Sequence, residues 1–225
     1  MNASMAILTI GIVPDSGIIP RLIPDAGDAD VSCISLLGSR SRAHVLAEYA
    51  PQANEQTLYT TLEDGQLIAL SHSKIERDLQ GIIEVLEHQG VEVIWLMTLA
   101  SFSRLSATNA VLLEPQRLIP PLVASIVDGH QIGVLLPFSE LQESQAAKWQ
   151  ALATPPVYAT WNALVDDEAA LLAAGKELLA NGAEVLVLDC PGYQPADCET
   201  LEQHLDMPVL LSSGLMARLA QELLI

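Results

Sequence analysis

Positive charge is scarce in this chain. Lysine and arginine number 10 against 28 aspartates and glutamates, which leaves a formal net charge of −18. A surface of that sign repels phosphate backbones and anionic lipid, so neither nucleic acid nor a membrane is an expected partner. Aromatic residues make up only 4% of the 225 residues, so the core must be built from Leu, Ile, Val and Ala. The three cysteines, Cys33, Cys190 and Cys198, are too few and too scattered for a disulfide framework. None has metal-ligand spacing with a pair of histidines, and no metal is expected. No apolar run is long enough to span a bilayer. The opening stretch MNASMAILTIGIVPDSG has no basic region and reads as a first strand rather than a signal peptide. These absences point to a reducing cytoplasm. A phosphate loop and a dinucleotide fingerprint are also missing, so no cofactor is expected.

What is present is apolar residue, 50% of the chain, in a regular alternation. Continuous apolar runs (MAILTIGIV, VSCISLL, VEVIWLM, QIGVLLP, AEVLVLD, PVLLS) are separated by amphipathic stretches. TLYTTLEDGQLIALS reads as a hairpin around Asp64-Gly65. Ile75, Leu79, Ile82, Ile83 and Leu86 recur at helical spacing, and Gly90 closes that helix. SRLSATNAVLLEPQRLIPPLVASIVDG reads as helix in two pieces, broken at Glu114-Pro115. Strands that are apolar throughout and alternate with helices predict parallel sheets covered on both faces.

An internal echo refines this. HQGVEVIWLMT (88–98) and ANGAEVLVLDC (180–190) share one grammar: a helix ends at glycine, then come a small apolar residue, Glu and Val. Aligned on Gly90 and Gly182, Thr98 falls on Cys190. IGIVP (10–14) likewise echoes IGVLLP (132–137). The expected fold is therefore α/β, with two pseudo-symmetric Rossmann-like lobes of parallel sheet and a ligand cleft at the strand C-termini between them. The expected division is residues 1–112 plus 206–225 for the first lobe and 113–205 for the second.

Candidate chemistry clusters at the strand ends. Cys190 leads, since it follows an apolar strand and precedes a Pro-Gly turn and a helix beginning near Gln194. A nearby helix N-terminus favours thiolate, whereas Asp189 next door opposes it. Thr98, Ser101 and Ser103 could cap a following helix and bind an anion, with Arg104 in its first turn. Asp15 and Ser16 end the first strand and could orient a polar substrate. The backbone N–H of Gly192 could meet a carboxylate. Arg42, Arg77 and Arg117 are further candidates for a carboxylate clamp, although a solvated arginine is the plainer reading of each. Cys33 and Cys198 read as structural.

These stretches resemble the AroM protein family. The resemblance rests on AILTIGIVP, LLG with AEYAP, ERDLQG, LEPQRLIPPLV, AGKELLANGAEV and LDC, spread end to end. The family implies no defined reaction. AroM-like chains are in turn similar to the aspartate/glutamate racemase superfamily, which includes glutamate, aspartate and hydantoin racemases, maleate isomerase and arylmalonate decarboxylase. That similarity implies two α/β lobes and a cysteine at corresponding strand ends of each lobe. Cys190 lies on the second cysteine position. Met97-Thr98 lies on the first and supplies no thiol. Pro191-Gly192 stands where racemases carry a hydroxyl residue. The resemblance thus implies a single-thiol lyase or isomerase, decarboxylase-like, acting on a small carboxylate, with a homodimer allowed. The alternative is a binding or regulatory protein linked to aromatic amino-acid metabolism that keeps the site and lacks the chemistry.

Overall fold

The computed structural model describes residues 4–11, 30–62, 65–150 and 152–224. The six apolar runs, joined by Val111–Leu113 and Val157–Thr160, form two four-stranded parallel sheets, and Thr57–Thr61 pairs with Leu67–Ser71 as an antiparallel hairpin. Asp15 and Ser16 lie outside the described residues.

The chain divides into two units, Met1–Glu114 with Leu219–Ile225, and Pro115–Arg218. In the first unit the elements are β1 (Ser4–Thr9), β2 (Asp30–Ser35), α1 (Arg42–Tyr49), the hairpin β3 (Thr57–Thr61) and β4 (Leu67–Ser71), α2 (His72–His88), β5 (Val93–Leu96) and β6 (Val111–Leu113). The second holds α3 (Pro115–Val127), β7 (Ile132–Leu136), a 3-10 turn at Ser139–Leu141, α4 (Gln142–Lys148), β8 (Val157–Thr160), α5 (Glu168–Ala180), β9 (Val185–Leu188), α6 (Pro195–Leu205), β10 (Val209–Leu211) and the start of α7 (Ser212–Leu223).

The two sheets have the same connectivity. The first runs β2-β1-β5-β6, and the second, read from its other edge, runs β8-β7-β9-β10. The echo in sequence is therefore an echo in topology, with β5 matching β9 and β1 matching β7. Each helix-to-strand passage closes alike. Gly90 and Gly182 take φ of 84° and 90°, a region that only glycine enters freely. Val91 N–H then returns to Leu86 O at 3.1 Å, and Ala183 N–H to Leu178 O at 3.0 Å. The shared glutamate follows. Glu92 N–H donates to Ser4 O at 3.0 Å and Glu184 N–H to Gln131 O at 2.8 Å, which sets the register of each sheet.

Helical spacing on α2 directs Ile75, Leu79, Ile83 and Leu86 into the first core with Leu8, Ile94 and Leu96. In the second unit Leu171 and Leu178 of α5 and Leu201 of α6 pack with Leu135, Leu186 and Leu188. Close packing needs two glycines. A Cβ at Gly11 would meet Thr61 O at 2.1 Å, and one at Gly133 would meet Ala183 Cβ at 2.9 Å.

Two expectations are corrected. Residues 103–113 are not helix: the path is irregular to Ala110, and Val111–Leu113 pairs with Val93–Trp95 as β6. Residues 206–218 do not join the first unit, because Val209–Leu211 pairs with Leu186–Leu188. No helix among the described residues is long and apolar enough to cross a membrane.

Glu55 ties the hairpin to α2. Its carboxylate accepts from the Ser71 hydroxyl, from Ser73 Oγ at 2.6 Å and from Gln52 N–H at 2.9 Å. These bonds, led by the Gln52 amide, hold its carboxyl down from an ordinary 4.5 to about 2. A depressed carboxylate stabilises the fold above its unfolded value, and that contribution fades as pH falls from 4.5 through 2. Glu55→Gln should therefore start less stable at neutral pH and lose less melting temperature between about pH 5 and 3 than the parent chain. Parallel acid-titration melts check this. An equal loss in both proteins would count against it.

Candidate functional site around Cys190

In the second sheet β9 and β10 give way to polar residues, Asp189 and Ser212. β9 is Val-Leu-Val-Leu, its last three residues buried, and it stops at Leu188. Asp189 N–H makes a last sheet bond to Leu135 O at 3.4 Å. The chain then turns through Cys190, Pro191 and Gly192, with Tyr193 N–H returning to Cys190 O at 3.2 Å. Pro195 opens α6 behind a capping box in which Gln194 and Asp197 serve each other, in accord with the expected helix start.

Asp189 does not face water. Its side chain is 2% exposed, and both carboxylate oxygens take the Lys148 ammonium, at 2.7 and 2.9 Å. Lys148 is the last residue of α4, its side chain is 3% exposed, and its Nζ lies 5.1 Å from the centre of the Trp149 ring. Tyr158 of β8 feels the same carboxylate. Burial first, and the Asp189 charge second, push its hydroxyl up to about 12. That hydroxyl is buried with no partner among the described residues.

Cys190 is a partly covered residue whose thiol lies on the buried side. Gly192 N–H donates to its Sγ at 3.4 Å, and a Cβ at Gly192 would stand 3.8 Å from that sulfur. Burial pushes the thiol from 9.0 up to about 12. The Gly192 bond opposes this, and the Asp189 charge adds to it. The helix N-terminus thus does not favour thiolate enough to form it at neutral pH, because α6 begins five residues beyond the cysteine and desolvation outweighs one N–H donor. Tyr193 encloses the turn. It is buried, its hydroxyl donates to Trp161 O at 2.6 Å, and its ring stacks on Trp161 with centres 5.4 Å apart.

The neighbouring strand adds two hydroxyls. Leu211 of β10 pairs with Leu188 of β9, so Ser212 and Ser213 follow alongside Asp189 and Cys190. Both are 5% exposed, and neither Oγ has a partner among the described residues. They stand in the first turn of α7, where helix N–H groups lack intrahelical acceptors.

Thr98, Ser101, Ser103, Arg104, Arg42 and Arg77 belong to the first unit. Thr98 follows β5 as Cys190 follows β9, and its Oγ1 accepts from Ala100 N–H at 3.1 Å. No helix follows, so Thr98, Ser101 and Ser103 cap none. Ser101 gives its carbonyl to His72 Nε2 at 2.7 Å. The Ser103 and Arg104 amides, expected to meet an anion, both donate to Glu76 Oε1 at 2.9 Å. Arg42 donates to Leu67 O at 3.1 Å and Arg77 to Asp78 at 2.7 Å, so these two of the three candidate clamps have protein partners. Cys33 is exposed on β2, whereas Cys198 is buried on α6. Among the described residues no group of three or more His, Cys, Asp or Glu could hold a metal ion.

The AroM protein family model matches residues 5–224. The chain belongs to this family. No curated protein sequence matches it, but solved structures do. An unliganded arylmalonate decarboxylase superposes with a TM-score of 0.62 at 16% identity, over 99% of this chain and 92% of the other. The glutamate racemase isoform RacE1 of Bacillus anthracis gives 0.61 at 15% identity, over 99% and 81%. The maleate cis-trans isomerase of Nocardia farcinica gives 0.58 at 14% identity, over 99% and 92%. At such identities the likeness is one of fold. This AroM family member therefore has the α/β racemase-type fold that its sequence resembles.

Lys148, Ser212 and Ser213 were not expected at this site. A signal for Lys148 existed: an acid closing an apolar strand needs a cation, and the chain has only 10. The serines could have been found from the rule that polar residues at parallel-strand C-termini line sites.

Proposed function

We propose that this AroM family protein is a cofactor-independent lyase or isomerase of a small carboxylate, with Cys190 as the acid that protonates a carbanion. The observation that carries this reading is the thiol held up to about 12 at a strand end. Such a thiol keeps its proton at neutral pH, and a carbanion is basic enough to take it. The sulfur left behind would accept the Gly192 N–H already directed at it. Ser212, Ser213 and the first turn of α7 would supply donors for the substrate carboxylate, an arrangement suited to anions. Asp15, Ser16 and Thr98 stay in the proposal as polar residues that could orient the substrate.

The test follows proton NMR in D2O with malonates, maleate and amino-dicarboxylates. The expected result is carbon dioxide loss or isomerisation with one deuterium placed on the retained carbon that bears the carbanion. Cys190→Ser should slow it by about a hundredfold or more, in the range of a lost general acid. Turnover unchanged in Cys190→Ser would sink the reading. A retained ligand-induced rise in melting temperature with no turnover in either protein would mark a binding protein instead.

A further inference from the structure

We propose that Lys148 is a positioning residue for Cys190: its buried ion pair with Asp189 sets the net charge that the adjacent thiol meets. The inference deepens the reading of Cys190 as proton donor and rests on it.

Three observations carry it. First, the pair is two-point and enclosed, with Nζ at 2.7 and 2.9 Å from the Asp189 oxygens and side chains 3% and 2% exposed. The Arg40–Glu48 pair has exposures of 41% and 46%, and Arg77–Asp78 of 72% and 29%, as expected of pairs in which water screens each charge. Second, the acid and the thiol are consecutive residues at the end of one strand, and Asp189 N–H is still held by Leu135 O. The backbone of Asp189 is thus anchored at the end of β9, an inner strand of its sheet. Third, among the described residues other elements give this carboxylate no second cation. Tyr158 offers a neutral phenol that the Asp189 charge reaches. Tyr193 is tied to Trp161 O and feels Cys190, Asp189, Asp197 and Asp166. Lys148 is therefore the group that cancels the negative charge beside the sulfur.

The chemistry follows from the balance. With both partners present, the thiol has a net-neutral neighbour, and when it gives up its proton the new thiolate forms beside a carboxylate whose charge is compensated. Remove the ammonium and the thiolate must form beside an uncancelled negative charge. Remove the carboxylate charge and it forms beside an uncancelled positive one. A single close charge moves the pH at which such a thiol ionises by roughly 1–3.

The test measures formation of the methyl mixed disulfide at Cys190, in which the thiolate attacks methyl methanethiosulfonate and methanesulfinate leaves, at about pH 9 in a chain whose exposed Cys33 is replaced by serine. Buried Cys198, on α6 of the same unit, serves as the internal reporter of opening. Peptide mass spectrometry reads the rate ratio of the two thiols. Lys148→Met should lower the ratio roughly tenfold or more, and Asp189→Asn should raise it by a similar factor, since the thiolate fraction changes about tenfold for each step of one in the pH of ionisation. Lys148→Met/Asp189→Leu should return it to within about threefold of the parent. A merely structural pair would give ratios that move in the same direction in both single variants, and that result overturns the proposal. So does an unchanged ratio. If Lys148→Met does not fold, Asp189→Asn and the double variant still decide between the two outcomes. No substrate is used, so these ratios stand or fall separately from the turnover of Cys190→Ser.

Discussion

Lys148→Met should lower the unfolding free energy by about 3–5 kcal/mol, the usual cost of stranding one member of a buried ion pair. Each charge of the parent pair is enclosed, at 3% and 2% exposure, and among the described residues its ion-pair partner is the other. Take the ammonium away and a carboxylate stays among Leu188, Leu135 and Tyr158 with no cation. Replacing both partners removes the stranded charge, and the double variant Lys148→Met/Asp189→Leu should recover most of the loss. Buried pairs exchanged for apolar residues of similar volume are often neutral or more stable than the original. Urea unfolding of the three proteins is the measurement. Equal losses in the single and double variants would mean that packing, and not charge, holds α4 to β9. The expected recovery would leave the pair present for the site rather than for the fold, in keeping with the role proposed for Lys148.

A second large effect is expected at Glu76→Ala, about 3 kcal/mol. Glu76 is 8% exposed on α2, and one carboxylate oxygen receives both the Ser103 and Arg104 amides at 2.9 Å. Hydrogen bonds to a charged group contribute about 1.5–3 kcal/mol each. Here two share one acceptor, and water can reach part of the vacated loop. Glu76→Gln keeps an oxygen in place and should lose less than about half as much. Amide exchange offers a local readout, since the Ser103 and Arg104 protons should exchange far faster in the alanine variant while Ile94 and Leu96 in β5 stay protected. Unchanged exchange at 103 and 104 would contradict the assignment.

The scaffold is legible in the sequence because its signals are local. Glycine at 90 and 182, the glutamate two residues on and the four apolar residues that follow each specify a step of the same passage. The two copies agree in dihedral angle, in hydrogen bond and in strand order. The hairpin is legible for the same reason: Gly65 takes φ of 69°, and Thr57–Thr61 pairs with Leu67–Ser71. What misleads is the segment 103–113, whose leucines and alanines suit a helix. Its amides instead find Glu76, Gln80 and Glu87 on α2 (Gln80 at Ser106, Glu87 at Thr108, Asn109 and Ala110). Those acceptors lie more than 20 residues away, and no window of local propensity contains them. Cys190 itself is legible as a thiol at a strand end, but its protonation is not. A helix dipole set against Asp189 leaves out desolvation, which dominates. Lys148 is hidden by its context, because Ala-Ala-Lys-Trp reads as an ordinary helix surface until Asp189 is seen to need it.

The way α2 holds the segment after Thr98 also bears on how this protein can change over time. Glu76, Gln80 and Glu87 grip backbone N–H groups, which every residue but proline possesses. At positions 103, 104, 106, 108, 109 and 110 the path of the loop is therefore indifferent to which side chain stands there. The information that fixes its shape is written on a helix elsewhere in the chain, with Phe102 and Leu105 as the two buried exceptions. Mutation can rewrite the outward vocabulary of that loop without erasing its geometry. Related chains should therefore diverge freely in the loop and sparingly along one face of the helix.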